Sequence, residues 1–149
     1  MSRVSIQAEA FDVGEELAAL EAGGGGGIAS FTGIVRAEGD LVALELHHYE
    51  AMTRPQVERI VDEAMARWPL QDARVIHRFG RLAPGEQIVF VGTAARHRTA
   101  ALEACAFLID WLKSQAPFWK KEYFADGSMS WVESRSEDEA RARGWLRQI

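Results

Sequence analysis

The sequence contains a single cysteine, Cys105, among its 149 residues. One thiol can form no internal disulfide and no thiolate cluster for a metal ion. Cys105 lies in a largely apolar stretch, residues 100–109, where a buried cysteine behaves as a small hydrophobic residue with a raised pKa. We therefore expect a structural cysteine, so any sulfur chemistry would need sulfur from another source.

The sequence also lacks a long apolar run and an excess of positive charge. No run reaches the ~18 apolar residues that a membrane-spanning helix needs, and no basic segment followed by an apolar one opens the chain. The net charge of −5 argues against a general nucleic-acid surface. We expect a cytoplasmic protein that binds neither membrane nor nucleic acid, and any cationic site must be local.

The length and hydrophobic content suit one domain, residues 1–149, with a substantial core. Apolar patterning predicts strands at residues 4–7, 28–35, 41–49, 73–79, 87–93, 118–124 and 129–134. It predicts helices at residues 13–22, 53–68 and 99–113, and a last helix from residue 136. The unbroken apolar residues 88–91 are typical of a central strand that is buried on both faces. Strand pairs mixed with strand–helix alternation indicate an α+β fold: a mixed or antiparallel sheet, flanking helices and a small β-hairpin across Asp126-Gly127.

Several local patterns predict how these elements begin and how they are joined. Capping-box pairs occur at Asp12 with Glu15 and at Thr53 with Gln56, and Thr99 resembles an N-cap. A run of five glycines, residues 23–27, lacks the Lys-Ser/Thr of a phosphate loop, so we interpret it as a flexible connector.

The most informative stretch is the corner at residues 112–122. Pro117 ends the preceding helix, which places Lys113 in its last turn, and residues 118–124 should then be extended. Strand alternation predicts Phe118, Lys120, Glu122 and Phe124 on one face and Trp119, Lys121 and Tyr123 on the other. The corner could therefore bring Lys113 and Lys120 to one pocket, although each lysine by itself is more often a solvated surface residue.

A second group of cations precedes the long helix. Arg96, His97 and Arg98 crowd the positive end of that helix, an arrangement that favours a bound phosphate or carboxylate. The alternative is that they point to solvent or pair with acidic residues. Arg36, after a predicted strand, is a third candidate cation.

Other catalytic signatures are incomplete. His47, His48 and His77 have no spacing that completes a metal site, so we expect structural roles for them and no metal or resident cofactor. The sequence has no nucleophile elbow or Ser-His-Asp pattern. From the residues alone, the sequence predicts an anionic small-molecule site served by lysines.

Several motifs, taken in order, resemble one known family. They are Phe31-Thr32-Gly33-Ile34-Val35-Arg36, His48-Tyr49-Glu50-Ala51-Met52, Ile76-His77-Arg78-Phe79-Gly80, Pro84-Gly85-Glu86, His97-Arg98, Lys113, Ala116-Pro117-Phe118-Trp119-Lys120-Lys121-Glu122 and Trp131-Val132-Glu133 with Arg135. The ordered set is similar to the large, catalytic subunit of molybdopterin synthase. The likeness extends over nearly the whole chain.

The resemblance implies an α/β hammerhead type of fold and a sulfurtransferase of molybdenum cofactor biosynthesis. Its partner would be a small ubiquitin-like sulfur carrier whose C-terminal Gly-Gly thiocarboxylate enters a pocket of the large subunit. Its substrate would be cyclic pyranopterin monophosphate, which receives two sulfurs in turn to form the dithiolene of molybdopterin. The implied assembly is a heterotetramer with a central homodimer of large subunits.

The resemblance also assigns roles to individual residues. Lys113 and Lys120 would be catalytic. The substrate-binding residues would be Ile34, Val35, Arg36, His97, Arg98, Lys121, Glu122 and Arg135, with Arg135 reaching the site of the neighbouring subunit. Two other functions remain open from the sequence: a non-catalytic adaptor for a ubiquitin-like Gly-Gly tail, and a phosphometabolite-binding domain unrelated to sulfur.

Overall fold

The computed structural model describes residues 3–132 and 136–146. The strands are β1 (Val4–Gln7), β2 (Gly27–Ile34), β3 (Leu41–His48), β4 (Leu70–Arg78), β5 (Gly80–Leu82), β6 (Gln87–Ala95), β7 (Phe118–Phe124) and β8 (Met129–Val132). The helices are α1 (Val13–Glu21), α2 (Glu50–Arg67), α3 (Arg98–Ser114) and α4 (Ser136–Leu146). Within the described residues, no helix has both the length and the apolar character needed to cross a bilayer.

The first sheet has the order β1-β4-β6-β2, with β1 parallel to β4 and the other pairs antiparallel. Successive residues of β6 face different hydrophobic clusters, because Val89 and Val91 pack on the side of α2 and α3 whereas Phe90 packs towards α1. Every residue of β6 after Gln87 is buried. The prediction of a central strand buried on both faces is confirmed.

The second sheet has the order β5-β3-β7-β8 and is antiparallel throughout. The predicted hairpin is confirmed: β7 and β8 are joined at Gly127, whose φ is 87°, and the Ser128 amide donates to the Asp126 carboxylate. Leu46 and Leu82 connect this sheet to the main core, since both belong to the larger cluster of buried residues. Two sheets with flanking helices confirm the predicted α+β class.

Two helix starts differ from the prediction. Helix α2 begins at Glu50, so Thr53 lies inside it, fully buried, with its hydroxyl donating to the Tyr49 carbonyl at 2.8 Å. Helix α3 begins at Arg98 with His97 as N-cap, and no side chain caps it. The predicted caps at Thr53 and Thr99 are therefore wrong. At Thr53 the reason is that a capping residue and a helical residue that bonds back to the preceding turn look alike in sequence. The cap at Asp12 is confirmed, as its carboxylate accepts from the Glu15 amide at 3.0 Å.

Part of the five-glycine run, Gly25 and Gly26, is closely packed and is not the free connector that was predicted. A Cβ atom on Gly25 would collide with the Gln71 side chain, and one on Gly26 would collide with the Arg96 carbonyl. The Gly26 amide donates to the Ala95 carbonyl at 3.1 Å, and Gly27 already belongs to β2. Glycine is needed here because another backbone approaches this closely.

Candidate active site

A cavity of about 510 Å³ lies where the C-terminal end of α3 meets β7, the end of β2 and α4. Six of the residues predicted for the site line it: Ile34, Val35, Arg36, Lys113, Lys120 and Glu122. The other lining residues are Phe31, Glu38, Leu41, Leu44, Ile88, Ile109, Asp110, Leu112, Ser114, Ala116, Phe118, Val132, Asp138 and Arg141. The cavity combines an apolar floor with charged groups, as small-molecule sites commonly do.

The corner at Pro117 brings the two lysines together, as the sequence predicts. Helix α3 ends at Ser114, and the amides of Gln115 and Ala116 both donate to the Trp111 carbonyl, at 2.7 and 3.2 Å. Strand β7 then begins at Phe118 and places Phe118, Lys120 and Glu122 along the cavity wall. A helix end and a strand thus each supply one ammonium group to the same space.

Burial changes the acid–base properties of both lysines. Desolvation lowers the pKa of Lys113, and the nearby Arg36 lowers it further. Burial, and then repulsion by Lys113, lowers the pKa of Lys120 to about 8. Among the described residues, neither lysine forms an ion pair. Two poorly solvated, unpaired ammonium groups can bind an anion or stabilise developing negative charge, and Lys120 can also donate a proton near neutral pH.

The segment 34–36 is held by backbone bonds to the turn that precedes β6. The Val35 amide donates to the Glu86 carbonyl at 2.9 Å, and the Gly85 amide donates to the Val35 carbonyl at 2.8 Å. Val35 is buried, whereas the Arg36 side chain is 69% exposed and lies 3.6 Å from Glu38. Such an exposed pair is weak, so Arg36 can exchange Glu38 for a ligand anion at little cost.

Behind the cavity wall, Phe118 packs against two histidines. The His77 ring stacks on Phe118, and His48 lies 6.0 Å from Phe118 between ring centroids. The Nδ1–H of His77 donates to the Arg78 carbonyl at 2.9 Å. Burial, with smaller contributions from Lys120 and Lys113, lowers the pKa of His77 to about 3, so the imidazole is neutral at physiological pH. Because His48 and His77 pack and hydrogen-bond within the protein, their surroundings agree with the structural role predicted for them.

Three predicted site residues within the described residues, His97, Arg98 and Lys121, do not line this cavity. His97 and Arg98 are exposed at the start of α3. Arg98 lies about 22 Å from Lys113 along the helix axis, at the usual rise per residue. Arg135 lies outside the described residues.

Lys121 points to the other face of β7, as strand alternation predicts. Its ammonium group lies 5.6 Å from the Tyr123 ring centroid and 5.3 Å from that of Trp131. The predicted substrate contacts of His97, Arg98, Lys121 and Arg135 remain predictions.

Two cavity residues, Asp138 and Arg141 of α4, were missed by the sequence reasoning. The helix was predicted, but its docking position was not. A usable signal was Trp145 on a helix that is otherwise mostly charged or small, because a large aromatic residue there requires a packing surface. That surface is on α3, where Asp110 accepts a hydrogen bond from the Trp145 indole at 2.8 Å.

Cys105 is buried on α3, with its Sγ 3.9 Å from the Val91 carbonyl oxygen. Burial raises its pKa to about 11, so little thiolate is present near neutral pH. The structure confirms the expectation of a structural cysteine. Cys105 also does not line the cavity.

Comparison with known proteins identifies the family. The family model described as "MoaE protein" matches residues 6–115. A protein of Mesorhizobium japonicum named "Molybdopterin synthase catalytic subunit" is 51% identical over 146 residues, covering 95% of this chain and 92% of that protein.

Two solved structures share the fold over nearly their full length. Molybdopterin cofactor biosynthesis protein E of Burkholderia multivorans aligns with a TM-score of 0.82 and 44% identity, covering 98% of this chain and 97% of that one. A protein–protein complex of subunits 1 and 2 of the molybdopterin-converting factor of Helicobacter pylori contains a chain that aligns with a TM-score of 0.77 and 25% identity. That alignment covers 91% of this chain and 93% of the other.

The matched region includes β2, segment 34–36 and all of α3 with Lys113. The alignment with the Mesorhizobium protein covers nearly the whole chain at about half identity. The resemblance inferred from the ordered motifs is therefore confirmed, and the chain belongs to the MoaE family.

Proposed function

We propose that this chain is the catalytic subunit of a molybdopterin synthase, a sulfurtransferase of molybdenum cofactor biosynthesis. In this role it converts cyclic pyranopterin monophosphate to molybdopterin by forming the dithiolene. The observation that carries the proposal is the meeting of Lys113 and Lys120 in one cavity of about 510 Å³. Membership of a family whose relatives bear the name "Molybdopterin synthase catalytic subunit" supports it.

The sulfur comes from a partner, a small ubiquitin-like subunit with a C-terminal Gly-Gly thiocarboxylate. The Helicobacter pylori structure is a complex of two subunits of a molybdopterin-converting factor, which supports a two-subunit enzyme. The state of Cys105 agrees with an external sulfur source, because its thiol is buried and poorly ionised. In each transfer, the thiocarboxylate sulfur attacks a carbon of the pterin side chain and displaces an oxygen substituent, which leaves with the bonding electrons. Water then hydrolyses the resulting thioester, so the sulfur stays on the pterin and the tail ends as a carboxylate.

Lys113 and Lys120 act on the charges of this transfer. Lys113 stabilises the negative charge that develops on the substrate or the thiocarboxylate, or transfers a proton. Lys120 positions the tail and the substrate from β7. Desolvation strengthens both roles, because a charge in a poorly solvated cavity acts on a ligand more strongly than one in water.

The substrate phosphate is an appropriate ligand for the mouth of the cavity. Arg36 offers an exposed guanidinium there, with Ile34 and Val35 beside it, and Glu122 completes the β7 wall. His97 and Arg98 are too far along α3 to serve the same cavity. In the proposed homodimer at the centre of a heterotetramer, they serve the neighbouring subunit's site, as proposed for Arg135.

We place this enzyme in the cytoplasm. A chain with one unpaired, buried cysteine suits a reducing compartment, where thiols are not oxidised to disulfides.

The decisive experiment is reconstitution. The purified chain is mixed with a thiocarboxylated ubiquitin-like partner and cyclic pyranopterin monophosphate, and dithiolene product is measured. Product with the wild type, and a loss of about 10²-fold or more with Lys113→Ala while partner binding persists, would support the proposal. A stable complex that yields no product would favour the adaptor function. Failure to bind a Gly-Gly-ending partner would favour a phosphometabolite-binding domain.

A further inference from the structure

Helix α4 contributes a carboxylate to the cavity that holds the two lysines. Asp138 and Arg141 both line this cavity, and the Arg141 guanidinium lies 3.5 Å from the Asp138 carboxylate, three residues away on the same helix. The Arg141 side chain is 61% exposed, whereas that of Asp138 is only 21% exposed. The carboxylate is thus turned towards the cavity, and its exposed partner compensates it weakly.

Several contacts fix the position of α4 against α3 and the C-terminal end of α2. The Trp145 indole donates to Asp110 at 2.8 Å, and the Arg67 guanidinium donates to the Trp145 carbonyl at 2.9 Å. The Trp145 ring meets Trp68 and Phe107 edge-on, with ring centroids 5.6 and 5.7 Å away. Asp138 is therefore held in place by a packed helix.

The other charged groups that line the cavity are Arg36, Glu38, Asp110, Glu122 and Arg141. Glu38 lies beside Arg36, and Asp110 is bonded to the Trp145 indole. Asp138 raises the pKa of both lysines, against burial, whereas Arg36 lowers the pKa of Lys113 and Lys113 lowers that of Lys120. Among the described residues, Asp138 is the one acid that raises the pKa of both lysines.

We propose that Asp138 is a positioning residue of this site, supplying from α4 the shared counter-charge that keeps Lys113 and Lys120 both as ammonium groups facing the ligand. The meaning of this role for catalysis rests on the sulfur transfer proposed above. The charge state of the two lysines is, however, a property of the chain itself and can be measured without substrate.

The chain is well suited to that measurement because Lys113, Lys120 and Lys121 are its only lysines. Selective ¹³C labelling of lysine gives three side-chain signals, and Lys121, on the opposite face of β7, is an internal reference. The signals are assigned from single Lys→Met variants, and each is then titrated with pH.

The test compares Asp138→Asn with Glu139→Gln, a matched loss of charge at the next residue of α4, which does not line the cavity. In Asp138→Asn, we expect the midpoints of Lys113 and Lys120 to fall by about half a pH unit or more, while Lys121 does not move. Glu139→Gln should leave the titration midpoints of all three lysines unchanged. Asp138→Glu, which keeps the negative charge, should return the midpoints of Lys113 and Lys120 most of the way to their wild-type values. Unchanged midpoints for Lys113 and Lys120 in a folded Asp138→Asn protein would overturn the inference.

The second arm measures dithiolene formation against pH. In Asp138→Asn, the alkaline limb of the rate profile should move to lower pH, while rates at the acid end of the profile stay near the wild-type level. An equal loss of rate at every pH would instead indicate a purely structural role and contradict the proposal. If the wild type forms no product, the proposed function fails, while the lysine titration still decides the role of Asp138.

Discussion

The imidazole ring of His77 lies nearly parallel to the Phe118 ring, with centroids 3.8 Å apart and planes at 13°. His77 belongs to β4 of the first sheet and Phe118 to β7 of the second, so this contact joins the two sheets directly behind the cavity. Phe118 is two residues from Lys120 on the same face of β7. The contact therefore connects the core of the protein to the placement of a candidate catalytic residue.

Burial of neutral His77 should make the fold sensitive to acid. Its pKa is about 3 in the folded protein and near 6.5 in the unfolded chain, so between these values the unfolded state binds one more proton. Stability should then fall as the pH falls below 6.5, by up to about 1.4 kcal/mol per pH unit from this group. His77→Phe retains an aromatic ring but removes the titration, so urea unfolding between pH 5 and 7 should show a shallower pH dependence than in the wild type. An unaltered slope in His77→Phe would refute the assignment.

The buried ammonium group of Lys120 should lower the free energy of unfolding of the protein. The pKa of Lys120 is lowered to about 8, so below that pH the fold bears the cost of a desolvated ammonium group. Lys120→Met should raise the free energy of unfolding at pH 7 by about 1–3 kcal/mol, and the gain should shrink as the pH rises from 8 towards 10.5. Urea denaturation at pH 7 and pH 10 measures this.

The matched control for Lys120→Met is Lys121→Met. It removes a lysine that lies over the Tyr123 and Trp131 rings on the exposed face, and it should give no gain and a loss of at most about 1 kcal/mol. Equal effects of the two substitutions would show that burial in the cavity is not the cause.

His97 and Arg98 should act on the neighbouring subunit's cavity if the proposed homodimer forms. Lys113→Ala and Arg98→Ala should each abolish most of the activity by themselves. A heterodimer with one copy of each, purified through two different tags, has one intact composite site and should recover about half of the wild-type activity. An inactive heterodimer would mean that Arg98 acts within its own chain, and full activity of Arg98→Ala by itself would mean that Arg98 has no role in the site.

The glycine run should tolerate substitution poorly at Gly26. Gly26→Ala places a Cβ against the Arg96 carbonyl, a backbone atom that cannot easily move away. We expect a loss of about 1–3 kcal/mol of unfolding free energy, measured by urea denaturation. Gly144→Ala is the control, since Gly144 lies in α4 with no atom near the added Cβ, and that change should be neutral or stabilising. Equal stability of Gly26→Ala and the wild type would contradict the close packing of this connection.

Local sequence determined most of the helices and strands and the positions of the three lysines within them. The bounds of β1 and β7 agree with the predicted residues 4–7 and 118–124, because alternation and Pro117 act within a few residues. The same local rules placed Lys120 and Lys121 on opposite faces of β7. They also placed Lys113 in the last turn of α3.

Tertiary structure decided which other residues lie beside the lysines in the cavity. Asp138 reaches the lysines because Trp145 docks α4 on α3. Trp145 signals in the sequence that α4 packs against another surface, but it does not specify which surface. His97 and Arg98 are separated from Lys113 by the length of one rigid helix, which the order of motifs along the chain did not reveal. Backbone sterics act on neighbours in sequence, whereas burial and desolvation depend on which distant surfaces pack together, so the charges of the site emerge only in the folded chain.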